Sequence, residues 1–327
     1  MSEPQSHAFY TVCTSTFFPG VVALLNSLRL TGHHEDLVIL DVDLWPEQRS
    51  RLEGHCRLVH LDTETGINPL LLKGFPEAIG AEDVVVMIDC DIIVTGSLMP
   101  VVELAREGRI CAYPDADDDR WFPEWEQVFS LAPPLRRETY VNSGFVVFSA
   151  KHWPGLLGRW RELSEAIPTN ATRAGGARKD TPYWDGDQDA LNALLMSEIP
   201  PGALHLLPRN EAPTHPRDRV AVTVEDVRGL ICTWNGSRTT IVHAAGNPKP
   251  WERKRGMAAD CYARLLGRAL FGDDVLLPAS AADVPLVYRP GRVARARATA
   301  ERLALTLGRR LPRPLWNAAK RATGSRS

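Results

Sequence analysis

Val84-Val85-Val86-Met87-Ile88-Asp89-Cys90-Asp91-Ile92-Ile93-Val94 decides how the rest of the chain is read. Five apolar residues run without a break into Asp89. A strand apolar on both faces is a buried one, of the kind found in parallel sheets covered by helices. Asp89 and Asp91 then arrive together at the carboxyl end of that strand. In open α/β sheets this is the edge where ligands sit. Two carboxylates one residue apart, leaving a dry core, repel each other unless a cation lies between them. Oxygen ligands of this kind suit Mg²⁺ or Mn²⁺. By itself D-x-D also fits two solvated acids at a strand end. Its weight rests on partners elsewhere.

Working upstream, residues 8–14 read as a first strand, 21–30 as a helix ending at Gly32, and 37–42 as a second strand. Residues 46–53 form a helix opened by Pro46, and 58–61 a third strand. This alternation predicts an α/β sheet with right-handed crossovers. No G-x-G-x-x-G follows the first strand, which disfavours an ordinary dinucleotide fold. Lys73 is expected in a helix just before the D-x-D strand.

Downstream, 101–106 reads as a helix and 110–113 as a strand. Asp115 follows that strand as Asp89 follows its own, whereas Asp117, Asp118 and Asp119 read as a solvated turn. Asn142, Ser143 and Gly144 are expected as a loop leading into an apolar strand. Their side chains suit a polyhydroxylated ligand, and glycine admits close backbone approach. Residues 153–167 read as a helix and 168–182 as a polar, mobile loop. Asp185-Gly186-Asp187-Gln188-Asp189 opens a helix over 190–196. Asp187 or Gln188 fits a cap, but three acids in five residues exceed what a cap needs. Finally, a strand over 241–243 delivers His243, a metal ligand through a neutral imidazole nitrogen. Gly246 permits a tight turn, and Lys249 supplies a cation suited to phosphate.

Hydrophobic content of 44% in 327 residues supports a large core. No apolar run is long enough to cross a bilayer, and the polar start holds no signal-peptide core. The expectation is a cytoplasmic protein. Cysteines 13, 56, 90, 111, 232 and 261 are scattered without a C-x-x-C, which argues against zinc or a disulfide framework.

Asp89-Cys90-Asp91, Asn142-Ser143-Gly144, Asp187-Gln188 and the H-x-x-G-x-x-K-P-W of His243 to Trp251 occur in this order. On these motifs, over roughly residues 8–255, the chain resembles family 8 of the retaining glycosyltransferases, relatives of glycogenin and of bacterial lipopolysaccharide galactosyltransferases. The resemblance implies a GT-A fold, a Rossmann-like mixed sheet flanked by helices. It implies a nucleotide-sugar donor, usually a UDP-sugar, and Mn²⁺ (or Mg²⁺) held by Asp89, Asp91 and His243. It places Lys249 on the diphosphate with Gly246 close to it. Lys73, Cys90, Asp115, Asn142, Ser143, Asp187 and Gln188 fall around the donor, and Cys13, Thr14 and Ser15 where the base and ribose lie. Lys73 departs from the arginine frequent in bacterial relatives. Asp187 and Gln188 are the catalytic candidates. Retention requires either a covalent enzyme–sugar intermediate, for which Asp187 is the better nucleophile, or attack from the face of departure. The sequence leaves both open, and the family favours the second. The acceptor is expected to be a glycan or a lipid-linked molecule.

Two other readings compete. A phosphatase with an aspartyl nucleophile also uses D-x-D, but favours Thr or Val where Ile93 stands, and its other motifs are missing. A non-catalytic nucleotide-sugar-binding protein would not need Asp89, Asp91, His243 and Lys249 all intact.

Charge divides the chain into a catalytic domain over 1–288 and a tail over 289–327. From Arg289 onward eleven basic residues face the single acid Glu301. Since the chain holds 38 basic and 40 acidic residues, 27 and 39 remain in 1–288. Val293, Ala296, Ala300, Leu303, Ala304, Leu307 and Leu311 recur at helical spacing. A basic amphipathic helix followed by Trp316 suits an anionic membrane surface, which would make the protein peripheral on the inner face of the cell membrane. Packing on the acidic body is the alternative. Nucleic acid is not expected, because the body would repel it.

Overall fold

Val84, Val86 and Ile88 enter one hydrophobic core, and Val85 and Met87 enter another. The run is apolar on both faces because it lies mid-sheet, with side chains alternating into two separate layers. The structure, a computed structural model, describes residues 6–61, 73–74, 80–132, 134–173, 175–252, 260–280 and 283–284. The tail beyond Arg289 lies outside the described residues.

The chain runs β1 (His7–Cys13), α1 (Phe18–Leu30), β2 (Leu37–Asp41), α2 (Pro46–Leu52), β3 (Arg57–His60), β4 (Val84–Ile88) and β5 (Ile92–Val94). It continues through α3 (Met99–Arg106), β6 (Ile110–Pro114), α4 (Glu124–Val128), β7 (Val141–Ser149), α5 (Leu156–Glu165) and α6 (Asp187–Ser197). Then come β8 (Leu204–Leu206), α7 (Pro216–Ala221), β9 (Thr223–Asp226), β10 (Ile231–Trp234), β11 (Ser237–Arg238), β12 (Ile241–His243) and α8 (Cys261–Phe271).

Seven strands form the central sheet in the order β3-β2-β1-β4-β7-β6-β8. Every neighbouring pair is parallel except the two that β7 makes, with β4 and with β6. Residues of α1, α3 and α8 line the core on one face, and residues of α5 and α6 line the core on the other. All eleven residues of α6 are buried, the polar Asp187, Gln188, Asp189, Asn192 and Ser197 among them.

The sheet corrects four expectations. The D-x-D strand is parallel to β1 only, since its other neighbour β7 runs against it. Asn142, Ser143 and Gly144 are not a loop but the first turns of the pleat of β7. Lys73 lies in a bend and not in a helix. The helix expected from residue 153 begins at Leu156.

Because β7 is reversed, its amino-terminal end lies beside the carboxyl ends of β4 and β6. Ile88 pairs with Phe145, and Pro114 with Val141. That single reversal puts 88–91, 114–115 and 141–144 on one edge. A second, two-stranded ladder pairs β12 antiparallel with β5, with His243 opposite Ile92.

Gly20, in α1, closes the core beneath this edge. A Cβ there would lie 2.5 Å from the Trp251 ring and 2.7 Å from the Cys90 carbonyl oxygen. Gly20→Ala is therefore expected to lower stability by about 1–3 kcal/mol through overpacking. It would be read as a lower denaturant midpoint at unchanged slope. A variant as stable as wild type would show that the backbone between the two acids is not held against α1.

Candidate functional site

Strand β4 stops at Ile88, and the backbone turns at once. The Asp89 N–H donates to the Gly144 carbonyl at 2.8 Å, and the Ile92 N–H to the Asp89 carbonyl at 3.0 Å. This turn brings both carboxylates to the edge. The β5–β12 ladder then lays His243 against them, continued by an Ala244 N–H to Asp91 carbonyl bond of 3.0 Å. His243 Nε2 stands 3.1 Å from Asp91 Oδ1 and 3.6 Å from Asp89 Oδ2. One ligand atom from each of the three lies within 4.8 Å of the others. An imidazole lone pair facing two carboxylates is repulsive unless a proton or a cation lies between them. Two oxygens and one nitrogen fit a borderline-hard divalent ion. The imidazole's other nitrogen, Nδ1, is buried without a hydrogen-bond partner.

Lys249 closes this half of the site. Its ammonium pairs with Asp91 Oδ2, donates to the Ala244 carbonyl at 3.2 Å, and lies 5.2 Å from the Phe17 ring centre. Burial works against a charged Asp91, but Lys249 and His243 outweigh it and hold the carboxyl well below the usual range. Gly246 has φ of +87°, a backbone conformation that glycine adopts at little cost. Trp251 anchors the segment by donating from Nε1 to the Thr16 carbonyl at 3.0 Å. The segment from His243 to Trp251 is thus tied to the loop after β1.

Lys73 joins the two halves. Its ammonium lies 2.8 Å from Asp89 Oδ1 and 3.1 Å from Asp187 Oδ2, and it donates to Ser143 Oγ at 3.1 Å. From there the hydrogen bonds run without a gap. Ser143 Oγ donates to Asp187 Oδ2 at 2.9 Å, and the Ser143 N–H to Gln188 Oε1 at 3.0 Å. Gln188 Nε2 and Asn142 Nδ2 both donate to Asp115 Oδ2, at 3.3 and 2.7 Å. Burial opposes charge on Lys73, yet Asp187 and Asp89 outweigh it and push the ammonium above its ordinary range. At Asp187 burial wins over Lys73 and raises the carboxyl. The ammonium is therefore the securely charged partner. Gly144 is confined by the same cluster. A Cβ there would lie 2.5 Å from the His243 ring and 2.8 Å from both Asp89 Oδ2 and Asn142 Oδ1.

The sequence-predicted residues thus assemble on one edge, with qualifications at β1. Cys13 and Cys90 belong to the hydrophobic core, and a hydrogen bond with Cys13 together with burial pushes the Cys90 thiol up. Thr14 Oγ1 lies 3.0 Å from Thr16 Oγ1, and the Ser15 N–H donates to Asp43 Oδ1 at 2.6 Å. Asp43 was missed. The signal was present: Asp41-Val42-Asp43 is a second D-x-D leaving an apolar strand. Arg120 and Asp189 were missed as well, although Asp189 stands in the acidic stretch before α6.

One further cluster among the described residues, His7, His33 and Glu35, has metal-ligand spacing. It lies at the opposite end of β1, and there the Leu98 N–H donates to His33 Nε2 at 3.2 Å, so that nitrogen is occupied.

No protein-family model and no curated protein matches the sequence. Solved structures do resemble the fold. The galactosyltransferase LgtC in complex with donor and acceptor sugar analogues aligns at a TM-score of 0.51 and 18% identity, over 80% of this chain and 95% of that one. The bifunctional glycosyltransferase WbbM, in its apo form, gives 0.53 and 16% over 81% of this chain and 50% of its own. The apo form of the glycosyltransferase GlyE of Streptococcus pneumoniae TIGR4 gives 0.52 and 17% over 80% and 60%. The likeness is one of fold, and the chain has the GT-A fold.

Lys73→Met leaves Asp187 buried without its cation, which is expected to cost about 3–5 kcal/mol at neutral pH. The pKa of Asp187 is raised on folding, so protonation favours the folded state. The deficit relative to wild type should shrink as pH falls, because the acid form needs no cation. Chemical denaturation at pH 8 and pH 5 checks this. A deficit that widens toward acid would contradict the pairing.

Proposed function

We propose that the chain is a metal-dependent, retaining glycosyltransferase that moves a hexose, glucose or galactose as the family resemblance implies, from a UDP-sugar to a glycan or lipid-linked acceptor. The observation that carries this reading is the continuity of the edge. A cation-binding triad, a lysine beside it and a polar pocket of Asp115, Asn142, Ser143, Asp187 and Gln188 are joined through Lys73. Asp89, Asp91 and His243 would hold Mn²⁺, or Mg²⁺, which when bound supplies positive charge beside the diphosphate. Lys249, now paired with Asp91, would contact the same diphosphate. Its ammonium gains most as the sugar–phosphate bond breaks and negative charge grows on the leaving group.

In the pocket, the Asp187 carboxylate already accepts from Lys73 and Ser143. A carboxylate so engaged is a poor nucleophile and a good electrostatic partner for an oxocarbenium-like centre. Gln188 presents an amide oxygen and no nucleophile. This supports attack from the face of departure over a covalent intermediate. A phosphatase fits less well, since Asp89 lies between Lys73 and His243 and is not free to attack. The basic tail fits a peripheral protein on the inner face of the cell membrane, and no described helix is long and apolar enough to cross one.

Three outcomes test the proposal. Asp91→Asn, still folded by circular dichroism, should lose Mn²⁺-dependent turnover of UDP-sugars, and chelator should abolish it in wild type. Full activity in either case removes the metal. Lys249→Ala should lower kcat about 10²-fold, the scale of losing one group that stabilises developing negative charge. A change in KM alone would make Lys249 a uniform binder. Full-length protein should pellet with anionic liposomes at low salt, and a chain ending at Tyr288 should not. Equal pelleting would remove the membrane role.

A further inference from the structure

Helix α6 begins without a cap. Gly186 precedes it at φ +61°, and no side chain receives its first amides. Uncapped helix starts fray, yet Asp187 and Gln188 are the first two residues here and both belong to the pocket. Trp160 Nε1 and Asn192 Nδ2 donate to their carbonyls, both at 2.8 Å, and the residue that follows them adds a further anchor.

Asp189 is wholly buried, and its carboxylate accepts four hydrogen bonds. Arg120 Nε and Nη2 donate at 2.7 and 2.9 Å, Tyr140 Oη at 2.9 Å, and the Asp185 N–H at 2.7 Å. The rest of the guanidinium is used as fully. Nη1 donates to the Lys179 carbonyl at 3.1 Å and Nη2 to the Thr181 carbonyl at 2.8 Å. Its face covers the Phe122 ring at 4.7 Å. Asp189 holds Arg120 firmly protonated against the cost of burial.

We propose that Arg120 and Asp189 are a positioning pair for the transfer reaction. They fix the start of α6, hence Asp187 and Gln188, and latch the 179–185 segment to the loop after β6. The inference rests on the reading that Asp187 and Gln188 meet the donor sugar. A buried ion pair is a poor device for stability alone, because apolar replacement is often no worse. Its particular yield is direction. A two-pronged guanidinium contact fixes the Asp189 side chain in rotation as well as in place. Asp189 is adjacent in sequence to Gln188, so the orientation set at one carries to the other along a rigid first turn. Lysine cannot reproduce the fork, and asparagine cannot receive it at both oxygens.

The experiment uses full-length Arg120→Lys and Asp189→Asn, two conservative variants, with two readouts. The first is amide hydrogen exchange. Both variants should exchange about tenfold or more faster over residues 181–190, while β4 and β7 keep wild-type protection. The second is steady-state kinetics with a UDP-sugar that wild type turns over. Both should lower kcat by about 10- to 100-fold, the scale of a small misplacement of reacting groups. Affinity for UDP with Mn²⁺, by calorimetry, should stay within about threefold. A pair that merely stabilised the fold would not split kcat from nucleotide binding in this way. Unchanged exchange in both variants overturns the latch whatever the protein acts on. Faster exchange with unchanged kcat overturns the role in transfer. A wild type that turns over no nucleotide sugar refutes the glycosyltransferase reading instead, and the exchange data still uphold or overturn the latch.

Discussion

The ammonium of Lys73 lies between two carboxylates that belong to different halves of the site, and the whole edge depends on it. Asp89 comes from the end of β4 and Asp187 from the start of α6. Asp187 is buried, and burial pushes its carboxyl toward the neutral form. Paired through one cation, the acids are kept close without repelling each other apart. Lys249 does the same for Asp91. The edge therefore stores negative charge in a compact volume with its counter-charge already supplied. Such an arrangement is prepared for a ligand that brings both a cation and an anion, since each incoming charge replaces an existing one.

The reversed strand β7 makes this geometry possible. In an all-parallel sheet, the residues opposite Asp89 would be another strand's carboxyl end and its loop. Here they are the beginning of a long strand, held by the ladder on both sides. Asn142 and Ser143 therefore present donors from rigid backbone. Gly144 leaves room for the His243 ring, which arrives from the other ladder.

How much of this was legible in the sequence follows from which interactions are local. The apolar run into Asp89 announces its own burial, and the stretch from His243 to Trp251 announces its histidine, its turn and its lysine. Strand direction is different. Nothing in residues 140–148 says whether the chain enters the sheet from one edge or the other, so the polar trio passes for a loop. Arg120 was hidden for a similar reason. It ends a run of acids that looks solvated, and its partner stands 69 residues later. The second D-x-D, at Asp41 and Asp43, was readable by the rule applied to the first. Its neighbours in sequence carry no other motif.

The ladder between β5 and β12 has a consequence for the order of assembly. The seven strands of the central sheet are complete at Leu206. His243 and Lys249 come later, and Lys249 meets Asp91 across 158 residues of chain. On a ribosome, all seven strands emerge before the histidine and the lysine that face the two acids. Contacts so distant in sequence form late, after the shorter loops have closed. A chain halted before residue 241 would lack both β12 and α8, and one face of the sheet would be missing part of its core. The histidine and the lysine reach the two acids only as that core closes.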